Sequence, residues 1–266
     1  MAEALLPDVH EPPFDILAAD YDRRWADTPI GRLQRRQVWR RIDGLWRPGE
    51  AIVELGCGTG IDAEYLAGLG VRVLATDPAP AMVAQADRRC RSHPLVETAV
   101  LAAEQVGRLS GRFDGAFSNF AALNCVLDLD SFAAALAERL LPGARAAFCL
   151  FGRRCLWELA VNLMTARPDR ALRRLRRGVV EAAIGEGRTI RVRYWGETDV
   201  RRAFADAFDL VSVAAIGLAV PPTTLNRLVA RLPGLLSTAQ RLDLAWGSHR
   251  PLVHLGDHTL YVLRRR

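Results

Sequence analysis

The chain has 266 residues, half of them apolar and a quarter charged, with a formal net charge of +6. This is the balance of a folded protein with a substantial core, and it excludes disordered, collagen-like and solenoid architectures. All 36 Lys and Arg positions are arginine, and the excess positive charge is spread along the chain, so it specifies no nucleic-acid surface by itself.

Taken in chain order, residues from Phe14 to Trp46 are predicted to form a helix with a rough apolar stripe of Trp25, Leu33, Val38, Ile42 and Leu45. Pro48-Gly49 ends it. Ala51 to Leu55 is a short strand, a glycine-rich turn follows, and Asp62 to Leu69 is helical up to Gly70. Val71 to Thr76 is the second strand and ends at Asp77. Ala79 to Cys90 has helical spacing, Val96 to Leu101 and Phe113 to Ser118 are strands, and Leu129 to Leu140 is a helix. Pro142-Gly143 then turns into a fifth strand, Ala144 to Phe151. The segment from Cys155 to Gly187 is predicted to be wholly helical. Ile190 to Trp195, Leu210 to Val220 and His258 to Leu263 are predicted strands, with helices at Thr198 to Phe208 and Leu225 to Leu244. Alternating strands and helices imply α/β architecture: a Rossmann-like, doubly wound, seven-stranded sheet, mostly parallel with an antiparallel edge, plus a helical cap insertion.

Five cysteines (Cys57, Cys90, Cys125, Cys149 and Cys155) form no CxxC pair and no cluster with histidine, so neither a disulfide framework nor a metal site is expected. Met1 to Leu6 lacks a basic start followed by an apolar run and is not read as a signal peptide. The apolar stretch Ala144 to Met164 is interrupted by Arg153, Arg154 and Glu158, which rules it out as a membrane span. A cytoplasmic location is expected.

Glu54-Leu-Gly-Cys-Gly-Thr-Gly60 is the most informative stretch. Glycines at 56, 58 and 60 allow a tight bend and close approach of a ligand, and the next helix presents its free amides there. Dinucleotide-binding turns read G-x-G-x-x-G, which would put the third glycine at Ile61. Here it falls one position early, and Glu54 would repel a diphosphate. A carboxylate at that place suits an amino-acid ammonium group, so the turn favours S-adenosylmethionine over NAD. Asp77, closing the second strand, can accept hydrogen bonds from both hydroxyls of a ribose, or cap the helix after it.

Glu54 to Gly60 and Asp77-Pro-Ala-Pro-Ala-Met82 together resemble the first two motifs of class I S-adenosylmethionine-dependent methyltransferases. Phe113-Asp114, Leu141-Pro-Gly143, and the upstream Phe14-Asp15 and Ala19-Asp-Tyr-Asp22 match further positions of that family. The resemblance implies a small-molecule methyltransferase using S-adenosyl-L-methionine. It implies that Glu54, Gly56, Cys57, Gly58 and Gly60 hold the methionine end, that Asp77 holds the ribose, and that Pro78 and Met82 flank the adenine. Tyr21 would face the cofactor from the N-terminal segment. Many relatives carry G-D-A-E after the third strand. Here Leu101-Ala-Ala-Glu104 puts Ala102 in place of the adenine-binding Asp, leaving Ala103 and Glu104 as the adenine neighbours.

One methyltransferase domain is therefore expected over 1–266. Residues 14–46 would form an N-terminal helical lid, 50–151 the cofactor-binding core and 152–188 a helical insertion. The C-terminal part of the sheet would occupy 189–266, with a helical excursion at 222–245.

Methyl transfer is an in-line displacement in which the protein positions the acceptor and removes its proton. Asn119, after the fourth strand, is a candidate for orienting cofactor or substrate. No general base stands out. His254 and His258 are the candidates, followed by Asp114 and Glu158. Trp157, Leu159, Val161 and Leu163 read as core or as an apolar acceptor wall, and Arg167 to Arg177 as a solvated helix face or a lid for an acidic acceptor. The expected function is methyl transfer to O, N or C of a small, hydrophobic molecule. The alternatives are an RNA methyltransferase and a cofactor-binding, non-catalytic partner protein. The arginine run has no interleaved aromatic, so nucleic acid is not the expected partner.

Overall fold

The computed structural model describes residues 12–167, 172–229 and 233–266. Its strands are β1 (Ala51–Leu55), β2 (Arg72–Asp77), β3 (Val96–Val100), β4 (Phe113–Ser118), β5 (Leu140–Phe151), β6 (Val180–Gly185), β7 (Arg188–Val192), β8 (Phe208–Ile216) and β9 (His258–Arg265). All except β6 and β7 join one seven-stranded sheet in the order β3-β2-β1-β4-β5-β9-β8. Strands β1 to β5 run parallel, and β9 lies antiparallel between β5 and β8.

Strand β1 sits at the centre because Ile52, Val53 and Leu55 are all fully buried, as a strand covered on both faces requires. On one face lie α1 (Pro29–Ile42), α2 (Ile61–Gly68) and α3 (Pro80–Cys90), packing Val38, Ile42, Leu66 and Ala86 against Ile52, Val73 and Leu260. The opposite face carries α4 (Leu129–Arg139). After α5 (Leu156–Met164), α6 (Glu197–Phe204) joins that face, with Phe132, Leu136, Val200 and Phe204 around Phe148. Two further helices, α7 (Asn226–Val229) and α8 (Pro233–Trp246), pack with α1 through Ile30, Val220, Val229, Leu236 and Ala239.

Four expectations are corrected. The N-terminal stretch is not one helix. Turns through residues 13–20 lead into a wide helical turn at Asp22–Ala26, and α1 starts afresh at Pro29. Proline disfavours helical backbone in the residue before it. Thr28 is accordingly extended, and its Oγ1 caps the new helix by accepting from the Gly31 amide at 3.0 Å.

The insertion is not wholly helical either. Only α5 is, and β6 and β7 form an antiparallel hairpin. Its turn residues Glu186 and Gly187 have φ of +51° and +69°, the paired left-handed geometry of a tight hairpin loop, and Gly-Glu-Gly supplies it.

The third correction concerns α5, which buries none of its side chains. Leu156, Leu159 and Leu163 face outward at helical spacing, so they are not core. In the arginine run, residues 168–171 lie outside the described ones. Arg173–Leu175 is a short turn in which Arg174 is buried, so a solvated helix is not what forms there.

Candidate functional site

The carboxyl ends of β1, β2 and β4 converge, and hydroxyls fix them to one another. Thr76 Oγ1 donates to the Glu54 carbonyl at 2.9 Å, and Ser118 Oγ donates to the Leu55 carbonyl at 2.7 Å. The chain then bends: the amides of Gly56 and Cys57 both donate to the Thr76 carbonyl, at 2.8 and 2.9 Å. Gly56 has φ +74°, and a Cβ there would lie 2.2 Å from the Ala122 Cβ, so only glycine fits. Gly58 also has positive φ, +54°, yet a Cβ on it would meet nothing within 4 Å. Its open side is where a ligand can approach the backbone.

Asp77 closes β2 and accepts from the Gly58 amide at 3.0 Å and the Ala79 amide at 2.9 Å. It therefore ties the glycine turn to the start of α3. Burial pushes its carboxyl above the usual range, and those two amides pull it back. Glu54 is buried, and its Oε2 has no hydrogen-bond partner. Burial raises its carboxyl well above normal, Asp62 and Asp77 add to the effect, and Arg35 opposes it.

Asp62, in the first turn of α2, is the hub of the site. It accepts from Arg35 Nη1, from Trp39 Nε1 at 2.6 Å and from Asn119 Nδ2 at 3.0 Å. Arg35 and Trp39 are one turn apart on α1, so a single helix face delivers both donors. Asn119 Oδ1 in turn accepts from the Phe120 amide at 2.9 Å. Phe120 and Ala121 both have positive φ, +46° and +69°, a strained geometry at the cavity wall that costs of order 1–3 kcal/mol per residue.

A cavity of about 30 Å³ lies among Tyr21, Arg35, Gly58, Asp62, Asn119 and Phe120. Arg35 and Asp62 line it, and both, with Asp77, act on the nearby Glu54 carboxyl, so acids outnumber bases here, which suits a cationic ligand.

The N-terminal segment is clamped over these strand ends. Asp15 Oδ1 accepts from the Ala81 amide at the start of α3 (2.7 Å), and Asp22 accepts from Thr59 Oγ1 (2.6 Å) and pairs with Arg89 (2.5 Å). Tyr21 contacts Phe14 and Trp25, and Phe14 and Tyr21 pack on Met82, Ala18 and Ala79. Arg24 bonds Glu186 at 2.6 Å, joining this segment to the β6–β7 hairpin.

Other predicted residues fall as follows. Met82 is buried and Pro78 exposed. Ala102 precedes a short helical turn, Ala103–Arg108, in which Ala103 is buried and Glu104 exposed. Burial lifts the Cys125 thiol to about 11, helped by Glu104 and Asp77, so both carboxylates flank this cysteine. Asp114 accepts from the Ala51 amide at the start of β1, the end of the sheet remote from the turn. His254 Nε2 lies 3.1 Å from Glu197 Oε2 without a hydrogen bond, and Arg250 and Arg201 bond the other oxygen of that carboxylate.

His258 is placed differently. It is buried at the start of β9, stacked on Phe151 at 4.4 Å and edge-on to Phe120 at 5.3 Å. Its Nδ1 lies 3.6 Å from Asp257 without a hydrogen bond. Burial lowers its pKa to about 4, against the pull of Asp257, so the ring is neutral at pH 7. Beside it Arg174 joins Glu158 (2.5 Å) and Asp257 (2.8 Å) in a buried ion-pair cluster. Burial works against the charged form of Asp257, yet His258 and Arg174 hold its carboxyl below the usual range. Sequence reading missed Arg35, Asp62 and Asp257, and took Arg174 only as part of an arginine run. The Arg35–Trp39 spacing and an acid in the first turn of α2 were the available signals.

A doubly wound sheet whose strand ends meet at a glycine turn defines a Rossmann-like cofactor-binding domain. Residues 52–143 match the family model described as a methyltransferase domain. A ubiquinone biosynthesis O-methyltransferase from Methylocella silvestris is 32% identical over 152 residues, covering 49% of this chain. The match spans 58% of that relative's length. Among solved structures, a proposed S-adenosylmethionine-dependent methyltransferase from Listeria monocytogenes superposes with a TM-score of 0.62 at 16% identity, covering 88% of this chain and 99% of that one. The CcbJ methyltransferase from Streptomyces caelestis gives 0.59 at 16% identity, covering 95% and 97%. At that identity the likeness is one of fold. Residues 52–143 are thus similar to a methyltransferase domain, set in a fold shared with solved methyltransferases.

Proposed function

We propose that the protein methylates O, N or C of a small, apolar molecule with S-adenosylmethionine as donor. The observation that carries this is the buried, unpartnered Glu54 Oε2 two residues before a turn whose Gly58 faces open space. An ammonium group satisfies that oxygen, and the surplus of carboxylates over Arg35 favours a ligand with two positive centres. When bound, the cofactor supplies an electrophilic methyl group on a sulfonium.

The chain's own residues do the rest. Gly56 to Gly60 hold the amino-acid end, and Asp77 takes the ribose hydroxyls while keeping its amide bonds. Met82, Pro78, Ala103 and Glu104 border the adenine. A cavity of about 30 Å³ admits roughly one water, so Tyr21 and Phe120 yield as the ligand enters. Asn119, fixed by Asp62, orients the acceptor side. His258, neutral and reached past Phe120, takes the acceptor proton. The outward Leu156, Leu159 and Leu163 of α5, tied to this region through Glu158 and Arg174, support an apolar acceptor.

Calorimetric titration with S-adenosylmethionine and S-adenosylhomocysteine tests the reading, with radiolabelled methyl transfer to a panel of phenols and amines. Saturable binding weakened about tenfold or more by Asp77→Ala supports it. No heat with either ligand overturns it.

A further inference from the structure

A second cavity, roomier than the one at the strand ends, lies elsewhere in the fold. About 540 Å³ opens between the last turn of α1, the antiparallel strands β8 and β9, and the segment around Ser248, a volume typical of small-ligand sites. Four guanidinium groups reach its wall, from Arg40, Arg41, Arg201 and Arg250, and no carboxylate lines it. Its accessible apolar surface comes from Leu210, Val211 and Val213 of β8.

The charge there is not neutralised. Arg201 and Arg250 share one acid, Glu197, each at 2.7 Å. Arg40 is exposed and makes no ion pair among the described residues. Arg41 is more telling. Its Nη1 donates to Ser248 Oγ at 2.6 Å and its Nη2 to the Asp243 backbone carbonyl at 3.1 Å, while its Nε is buried without a partner. The Asp243 carboxylate is engaged elsewhere, accepting from Gln37 Nε2 at 2.7 Å and from the Ala219 and Val220 amides. Burial consequently lowers the pKa of Arg41, with only partial relief from Asp243. A half-buried guanidinium with no carboxylate of its own is a favourable partner for an anion.

Strand addition at this edge is disfavoured. Val211 is bulged out of register between Leu210 and Ser212, and flanking arginines are a common protection of exposed edges. The occupant is compact.

We propose that this cavity binds an amphipathic anion: a carboxylate or phosphate head gripped by Arg40 and Arg41, with an apolar body over Leu210, Val211 and Val213. The site lies apart from the glycine turn and does not depend on the proposed methyl transfer.

Calorimetry on the full chain tests it with octyl phosphate and octanoate as probes, and with octanol and inorganic phosphate as tail-only and head-only controls. The expected result is saturable 1:1 binding of at least one amphiphile, about tenfold tighter than either control. The stronger of the two amphiphiles identifies the head group. Arg40→Gln, at an exposed position without internal bonds, weakens binding about fivefold or more, as does Arg41→Gln, while Arg36→Gln on the exposed face of α1 leaves it unchanged. Binding no tighter than octanol or inorganic phosphate overturns the proposal. So does an Arg40→Gln variant that binds like the parent.

Discussion

Phe120 and His258 meet edge to face with ring centroids 5.3 Å apart, and this contact joins the wall of the strand-end cavity to a buried ion-pair cluster. On one side the Arg35 guanidinium lies 4.8 Å from the Phe120 ring. On the other, Phe151 stacks on His258 and carries Arg174 at 4.7 Å. Two cations and three rings thus form one column, with Asp62 at one end and Asp257 and Glu158 at the other. The packing of each member depends on the next.

The neutral state of His258 makes stability depend on pH in a defined window. Its folded pKa, about 4, is below the unfolded value near 6.5, so the unfolded chain binds more protons between them. Stability is full above pH 6.5 and falls as pH drops toward 4, by roughly 3 kcal/mol at most. Denaturant melts of His258→Phe between pH 4 and 7 are expected to show a shallower acid slope than the parent. Equal slopes would assign the acid loss to other groups.

Asp62 holds a buried guanidinium, an indole N–H and an amide at once. Asp62→Ala strands all three, and removing one partner of a buried pair costs about 3–5 kcal/mol. Urea unfolding should show that loss. The double variant Arg35→Met, Asp62→Leu is expected to recover part of it, because no charge is then left unpaired.

The glycines of the turn separate two effects. Gly58→Ala adds a methyl group to open space, so only the positive φ is charged against stability, about 1 kcal/mol. Gly56→Ala drives a carbon into Ala122 and is expected to destabilise markedly more. Thermal melts rank the two. On the proposed function, Gly58→Ala also weakens S-adenosylmethionine binding in calorimetry while the fold survives.

The N-terminal segment rests on a few polar contacts. Asp22→Asn breaks the pair with Arg89, and limited trypsin digestion should then cut after Arg23 or Arg24 about tenfold faster under native conditions. Melting of the sheet should scarcely change. A digestion rate equal to that of the parent would show that Asp15 and the Met82 contacts suffice to hold the segment.

The sheet was legible because strand and helix periods alternate cleanly from Ala51 to Phe151, and the glycine turn with Asp77 marked where its ends meet. Phe14 to Trp46 was misread because its apolar stripe continues through Thr28-Pro29, where proline chemistry outweighs periodicity. The β6–β7 hairpin was hidden among arginines that suit a helix, although Gly185-Glu-Gly187 encodes its turn. Asp62 and Arg35 went unseen because their meeting joins two helices 27 residues apart, a distance no local pattern spans. Arg174 and Asp257, 83 residues apart, are more remote still.

The bond between Arg24 and Glu186 has a consequence of its own. It fastens two coverings drawn from opposite halves of the chain, and both of its ends stand in water, where mobile ions compete for them. Such a fastening loosens in brine and tightens in dilute buffer. Dissolved salt therefore weakens this one fastening, while the bonds of Asp15 and Asp22 continue to hold the N-terminal segment.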